Sequence, residues 1–286
     1  MRTLLSAVSL VTFAGGLAAC SSPEQISDEV GVAPTQTPAS PETSQEKLAR
    51  LVPANADPVD FKDVEKDGEA EREFEYARPA QVSAIPALVE SLTADRDKKL
   101  SEQKAEWAQA RSDCPPDAFS CARRAFSVEW QVITDLPRFL SLSSGHYIYG
   151  GGAHGNYWTD TLVWDREAAG GEGASMAPLD MFASTQTMWE ALGLAYCDAL
   201  NAERAKRRGE YYEPEATGWP NDCPQVDDLV VMLGSSNGAA FDRIGIYAAP
   251  YTAGPYAEGA YEITLPVTEE VIATVKPEYA KYFNVS

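Results

Sequence analysis

The sequence predicts an α+β protein, with antiparallel sheet and packed helices in two halves behind a disordered tether. Three observations lead to this prediction. Several short segments alternate apolar and polar residues, two long segments have apolar residues at helical spacing, and consecutive strands are joined by short connections. The 286 residues are enough for one large domain or two ordinary ones.

The first residues are typical of an exported lipoprotein. Arg2 precedes an apolar run at residues 4–17, and two alanines lie directly before Cys20. A short apolar run that ends in small residues indicates a secretory signal and not a membrane span. Because a cysteine follows directly, the region resembles a bacterial lipobox. We expect a signal peptide over residues 1–19 and a lipid such as palmitate on Cys20; an ordinary signal peptide with an incidental cysteine is the alternative.

Residues 20–57 are rich in Ser, Pro, Thr, Glu, Gln and Ala. Such a composition cannot bury a core, so it predicts a disordered tether between the lipid and the folded part. In a Gram-negative host, Ser21 after the cysteine favours the outer membrane, with the protein facing the periplasm.

The chain is strongly acidic, with 43 Asp and Glu against 23 Lys and Arg and a net charge of -20. This balance disfavours nucleic acid and anionic membrane surfaces as partners, and it favours a basic partner. A solvated surface of an exported protein explains the same charge equally well.

The remaining four cysteines predict two disulfides. They are Cys114, Cys121, Cys197 and Cys223. An even number in an exported chain allows three pairings, and local pairing is the simplest because each neighbouring pair flanks a loop with prolines. No C-x-x-C pair is present, so metal binding by these cysteines is the weaker interpretation.

The first half, residues 58–168, is predicted to contain one long helix and several strands. The helix covers residues 85–110, either continuous or divided near residues 91–93, with apolar residues at helical spacing and many solvated charges. Alternation indicates strands at residues 71–77, 125–135, 139–149 and 157–164. The short connections between the last three predict an antiparallel meander.

The second half, residues 169–286, is predicted to begin with a helix that Ser184 or Thr185 caps and that ends near Arg208. Asn237-Gly238 predicts a hairpin turn between two of the strands that follow. The predicted strands cover residues 227–233, 241–248 and 261–265, and a C-terminal helix or turn covers residues 267–282.

Two glycine-rich segments carry most of the candidate binding residues. Residues 143–158 contain both histidines of the chain, His146 and His154, and three consecutive glycines. Glycine permits positive φ angles and close approach of the backbone to another surface, so this segment predicts a turn at a sheet edge. Residues 250–259 form a second loop with glycines and tyrosines.

Three catalytic interpretations find little support in the sequence. Residues 234–238 match G-x-S-x-G, but a strand follows them and both histidines precede them, so a hairpin is favoured over a hydrolase elbow. His146 and His154 are not spaced as metal ligands with Asp160 or Asp165, and for His154 we favour hydrogen bonds to the backbone of the turn. Acidic residues are abundant, which by itself indicates no glycosidase pair. We therefore predict no catalytic residue, metal or cofactor.

The order of these segments carries a family resemblance. HYIYGGGAHGNYWTDTLVWD is followed by PLDMF before a helix and then by GAAFDRIGIYAAPYTAGPYAEGAYEITLP. This order resembles an envelope domain family of unknown function, shared by the ectodomain of the lysozyme-sensing anti-sigma factor RsiV and the N-terminal region of the peptidoglycan deacetylase PdaC. Residues 151–154 and 251–259 are the two supporting motifs. The resemblance implies a binding or sensing module for peptidoglycan or a basic muramidase, and it implies neither deacetylation nor anti-sigma activity.

The candidate ligand-binding residues are the aromatic side chains around the two glycine-rich segments, namely Tyr149, His154, Trp158, Tyr251 and Tyr256. They would stack on sugar rings, or alternatively fill the core as strand residues. Three hypotheses remain from the sequence: a non-enzymatic envelope binding module, a wall-directed hydrolase that uses His154 with a nearby carboxylate, and a structural lipoprotein.

Overall fold

The computed structural model of the protein describes residues 56–113, 115 and 122–286, all of them within one compact unit. The predicted signal peptide, Cys20, nearly all of the predicted tether, Cys114 and Cys121 lie outside the described residues. Two sheets with helices packed on them confirm the predicted α+β class.

Six strands form the larger sheet, in the order of the sequence. They are β1 (Val59–Asp67), β2 (Ala70–Arg78), β3 (Arg123–Asp135), β4 (Phe139–Tyr149), β5 (Asn156–Asp165) and β6 (Ala174–Met176). The meander predicted for β3, β4 and β5 is confirmed by their antiparallel pairing. The strands β1 and β6, which the alternation pattern did not predict, form the two edges.

One pairing differs from the antiparallel sheet that we expected, because β2 and β3 run parallel. Between them the chain forms α1 (Ala80–Ser83) and α2 (Pro86–Asp113). A long helix carries the chain back to the end at which the preceding strand began, so the next strand runs in the same direction. The two strands and α2 therefore form a βαβ unit inside an otherwise antiparallel sheet.

The helix α2 covers one face of the larger sheet. Leu88 and Leu92, from the apolar positions predicted for this helix, are buried there. They pack in one cluster with inward-facing strand residues, among them Phe74, Tyr76, Val128, Trp130, Leu140, Leu142 and Trp164. Full burial of each large apolar side chain contributes about 1.5–3 kcal/mol, so this cluster is what holds α2 on the sheet.

Polar side chains complete the contact of α2, although we expected its polar positions to be solvated. Arg72 of β2 is fully buried and donates hydrogen bonds to Gln103 of α2 and to Asp63 of β1. Lys104 of α2 donates to the same aspartate at 3.0 Å. A buried guanidinium is tolerated only where its donors have partners, so these contacts tie the helix to both strands.

The second half forms a smaller antiparallel sheet and a long helix. Its strands are β7 (Val230–Gly234), β8 (Arg243–Ala248) and β9 (Tyr261–Pro266). The helix α3 (Thr185–Arg208) begins after Ser184, whose hydroxyl accepts a hydrogen bond from the Thr187 backbone N–H at 3.1 Å. Two short helices, α4 (Glu269–Ile272) and α5 (Pro277–Ala280), occupy the predicted C-terminal segment.

The smaller sheet shares a core with one end of the larger sheet. Phe139 of β4 lies 5.8 Å, between ring centroids, from Phe241 just before β8. Four apolar side chains of α3 belong to the same buried cluster: Met188, Leu192, Tyr196 and Leu200. This shared core sets where the loops of the second half lie relative to β4 and β5.

The strands β7 and β8 pair antiparallel, which confirms the hairpin predicted at Asn237-Gly238. Residues 235–242 lie between the two strands. The buried carboxylate of Asp242 accepts hydrogen bonds from the Ser236 backbone N–H, the Ser236 hydroxyl and the Asn237 amide. A carboxylate that satisfies the loop in this way allows a longer connection than a two-residue turn.

Short 3₁₀ turns make up further connections, at Ala168–Gly171, Pro178–Met181, Gly209–Tyr211, Val226–Asp228 and Tyr256–Glu258. Within the described ranges, no helix is both long and apolar enough to cross a bilayer.

Candidate functional site

The two glycine-rich segments meet beside the larger sheet. The first, which we call the glycine turn (residues 150–155), joins β4 to β5, and the second, the aromatic loop (residues 249–260), joins β8 to β9. The ring of His154 stacks on that of Tyr256, with centroids 3.9 Å apart. The carbonyl of Gly155 accepts hydrogen bonds from Nδ1 of His154 at 2.9 Å and from the Tyr256 hydroxyl at 2.6 Å. One backbone carbonyl therefore connects the two segments.

The hydrogen bond of His154 defines the state of its ring. Nδ1 faces a carbonyl oxygen, which only accepts, so Nδ1 carries a proton and donates it to this carbonyl. The side chain is exposed. His154 thus has the backbone hydrogen bond that we favoured, and it also presents an imidazole face at the surface.

Further tyrosines surround this contact. The ring of Tyr251 lies 5.5 Å from that of Tyr256, and the ring of Tyr157 meets Tyr256 edge-on at 6.1 Å. Tyr251 is 51% exposed. We call His154, Tyr157, Tyr251 and Tyr256 the aromatic surface. Burial and the neighbouring tyrosines raise the pKa of Tyr256, so its hydroxyl keeps its proton and donates at neutral pH.

Only some glycines of the turn are required by its geometry. Gly151 has φ 85°, which favours glycine. Gly155 is buried, and a side chain there would overlap the ring of Tyr147. By contrast, a Cβ on Gly150 would meet nothing within 4 Å. The close approach that the sequence suggested is therefore made by Gly155.

A buried arginine of α3 positions the aromatic loop. Arg204 is only 1% exposed. It donates to the Ala253 carbonyl from Nε at 3.1 Å and from Nη2 at 2.8 Å, and to the carbonyls of Asn221 and Asp222 at 2.7 and 3.0 Å. These hydrogen bonds join the aromatic loop to the segment before Cys223.

A second arginine, one helical turn later, holds the end of the aromatic loop. Arg208 forms a two-point contact with the Glu258 carboxylate, at 2.8 and 3.0 Å, and the Tyr261 hydroxyl donates to the same carboxylate. Burial by itself would raise the pKa of Glu258, but the hydrogen bonds from Arg208 and Tyr261 outweigh it and lower the pKa. A side chain on Gly254 would overlap this carboxylate, so a glycine fits there.

The structure separates two of the candidate residues from the aromatic surface. Trp158 lies on the face of the sheet that α2 covers, where it stacks on His146 at 4.8 Å and lines a cavity of about 270 Å³ next to Lys99. Tyr149, at the end of β4, donates to the Gly152 carbonyl at 2.9 Å and lines this cavity as well as a groove on the opposite face. Of the five candidates, His154, Tyr251 and Tyr256 are in direct contact.

The groove beside the glycine turn has a volume of about 480 Å³. Its walls include Tyr147, Tyr149, His154 and two glutamates, Glu71 and Glu73. The exposed imidazole and two carboxylates thus border one concave space.

The remaining histidine does not form a hydrolytic triad. Nε2 of His146 lies 2.8 Å from the Ser144 hydroxyl and 3.2 Å from the Asp160 carboxylate. The hydrogen bond between His146 and Asp160 lowers the pKa of Asp160. A triad needs the serine and the acid on different ring nitrogens, whereas Nδ1 of His146 is buried and has no partner among the residues that the structure describes. Ser236 of the G-x-S-x-G match donates to Asp242 in the β7–β8 connection.

Cys197 of α3 and Cys223 form a disulfide, with their Cα atoms 5.7 Å apart. In the part of the chain that the structure describes, no group of three or more His, Cys, Asp or Glu side chains is placed to hold a metal ion.

Sequence reasoning missed the residues that hold the aromatic loop. Arg204, Arg207 and Arg208 lie three and four positions apart, which places them on one side of a helix, and this spacing was the available signal. Arg207 donates to the carbonyls of Glu258 and Ala260. Their partners in the aromatic loop lie about 50 positions later in the chain. No local pattern in the sequence indicates that these arginines reach that loop.

The comparisons with known proteins agree with the resemblance read from the sequence. The family model described as deacetylase PdaC matches residues 65–157, a segment that includes the glycine turn and ends before the aromatic loop. Among curated proteins, no sequence matches this chain.

Solved structures of similar chains include a DUF3298 family member from Bacteroides fragilis NCTC 9343, with a TM-score of 0.46 and 17% identity over 79% of this chain and 95% of that one. A DUF3298 family protein from Pseudomonas aeruginosa PAO1 has a TM-score of 0.46 and 14% identity over 78% of this chain and 94% of that one. The match to the deacetylase PdaC family model confirms the predicted resemblance over residues 65–157.

Proposed function

We propose that this protein is a non-enzymatic binding module of the bacterial cell envelope, whose aromatic surface binds a peptidoglycan-type glycan. The observation that carries the proposal is the stacked pair of His154 and Tyr256 with the exposed ring of Tyr251 beside it. Aromatic rings held in place at a surface offer apolar faces to sugar rings at little cost in side-chain entropy.

Direct titration tests this proposal. The purified full-length protein is titrated calorimetrically with β-1,4-linked N-acetylglucosamine oligomers and with muropeptides. We expect saturable binding, and we expect Tyr251→Ala to weaken it about 10-fold, as the loss of a binding hot spot does. The matched control is Tyr211→Ala, because Tyr211 is 81% exposed and makes no ring contact with the aromatic surface among the described residues. A wild-type protein that binds neither ligand would remove the glycan proposal.

A basic muramidase is the protein partner that the charge favours. The net charge of -20 would steer a lysozyme-like enzyme toward this protein, and the binding would weaken as salt screens the charges. A pull-down with lysozyme at low and high salt tests this partner separately from the glycan. No retention at either salt concentration would exclude it, and a protein without any ligand would be left with a structural role.

A hydrolase is the second candidate function, and the groove is the observation that favours it. His154 borders the same concave space as Glu71 and Glu73, which an imidazole base paired with a carboxylate would require. Incubation of the glycan with the protein, followed by a count of new reducing ends, tests this function. Cleavage that His154→Ala abolishes would establish it.

The proposed location is the envelope, through a lipid on Cys20 and the tether behind it. The test is fractionation of cells that express the protein or its Cys20→Ser variant. We expect the wild type in the membrane fraction and the variant outside it. An unchanged distribution would show that Cys20 is not the anchor.

A further inference from the structure

Trp219 is exposed in an unusual setting. It is a large apolar side chain, 61% exposed, that lies between α3 and β7. Its indole Nε1 donates a hydrogen bond to the Tyr251 carbonyl at 3.1 Å. Tyr251 itself has φ 73°, a conformation that costs a non-glycine residue free energy. Two exposed aromatic residues are therefore held next to each other, and core packing explains neither of them.

The segment that carries Trp219 is anchored at several points. Arg204 donates to the carbonyls of Asn221 and Asp222, and the next residue, Cys223, is in the disulfide to α3. Arg204 also donates to Ala253 in the aromatic loop. The same buried guanidinium thus sets the position of Trp219 relative to Tyr251. An aromatic ring that is already ordered loses less entropy when a ligand stacks on it.

We propose that Trp219 forms an outer subsite of the aromatic surface, which stacks on a further sugar of a bound glycan chain, and that Arg204 is its positioning residue. This inference rests on the proposed function. Trp219, Tyr251 and Tyr256 offer aromatic side chains with no acidic or basic head group, which fits a neutral N-acetylated sugar better than an ionic partner.

The length of the glycan makes the subsite testable. The dimer and the tetramer of β-1,4-linked N-acetylglucosamine are titrated into the full-length protein and its Trp219→Ala variant. We expect Trp219→Ala to weaken tetramer binding about 10-fold and dimer binding less than about 2-fold, because only the longer chain reaches the outer subsite. Trp219→Phe should restore most of the tetramer affinity, and Tyr211→Ala should change neither.

The outcomes separate this inference from the proposed function. If Trp219→Ala lowers the affinity for both oligomers equally, or for neither, the outer subsite is overturned. Binding that depends on Tyr251 leaves the proposed function in place. A wild type that binds neither oligomer overturns both.

Two measurements test whether Arg204 positions Trp219. We expect Arg204→Lys to lower the tetramer affinity as Trp219→Ala does, and we expect no additional loss when the two changes are combined. Because a buried arginine variant can fail to fold, the exchange of the Trp219 indole N–H is also measured by NMR in the wild type. Slow exchange supports the fixed ring, and exchange at the rate of a solvated indole overturns it.

Discussion

The glycine turn and the aromatic loop lie against each other, but different interactions hold them. The glycine turn is held around Gly155, which packs on the ring of Tyr147 and whose carbonyl accepts hydrogen bonds from His154 in the turn and from Tyr256 in the aromatic loop. The aromatic loop depends on side chains of α3, above all on Arg204 and Arg208.

This difference determines how each segment responds to change. A turn held by close packing around one glycine is sensitive to the size of that residue. A loop held by long-range hydrogen bonds is sensitive to the donors on α3 and to the ionisation of Glu258. Perturbations that reach one segment and spare the other therefore test whether the two are held independently.

The largest effect on stability is expected at Arg204. Arg204→Met removes the donors to three carbonyls, of which that of Ala253 belongs to a buried residue, and should lower the free energy of unfolding by about 3 kcal/mol. Denaturant unfolding measures the loss, and amide hydrogen exchange locates it. We expect faster exchange in the aromatic loop and little change in the glycine turn; equal acceleration in both would show that the two segments are not independent.

The next effect is expected at Gly155. Gly155→Ala places a methyl group against the Tyr147 ring and should cost about 2 kcal/mol, as overpacking does. Gly150→Ala is the matched control, because a Cβ there meets nothing within 4 Å, and it should leave stability unchanged or slightly improved. Thermal unfolding of the two variants compares them. If both are equally stable, the close approach of Gly155 does not hold the turn.

We expect Glu258 to make the free energy of unfolding depend on pH. Its pKa is lowered in the folded state, so its stabilisation is complete above the unfolded glutamate pKa of about 4.3 and is lost as pH falls through the lower folded value. Glu258→Gln should cost about 1 kcal/mol at neutral pH and flatten this part of the stability profile. The exposed Glu262 provides the control variant, Glu262→Gln, which should keep the wild-type profile.

The smallest effect on stability is expected at Tyr251, where one substitution should stabilise the protein relative to another. Tyr251→Gly relieves the positive φ and should raise stability by about 1 kcal/mol relative to Tyr251→Ala, which keeps the unfavourable conformation. Both variants lose the ring and should lose the same glycan affinity. Chemical denaturation together with calorimetry separates the two effects. A glycine variant no more stable than the alanine variant would show that the backbone of the loop relaxes without cost.

Secondary-structure elements were predictable where the sequence pattern that defines them is local. Alternation located β4, and the hydroxyl of Ser184 caps α3 as expected. The parallel pairing of β2 with β3 was not predictable, because the direction of a strand after a long helix depends on which neighbour it joins. The β7–β8 hairpin was predictable from Asn237-Gly238, whereas the hydrogen bonds that Asp242 accepts from its connection were not.

The sequence by itself determined the α+β class, most of the strands and the pool of aromatic residues around two glycine-rich segments. Only the tertiary structure decided which of them meet. Alternation places Tyr157 and Trp158 on opposite faces of β5, but α2 decides that the tryptophan is the one covered. Likewise, Arg204 becomes a positioning residue only when packing of α3 brings it to Ala253. Contacts between distant parts of the chain follow from packing of the whole core, which no local pattern contains.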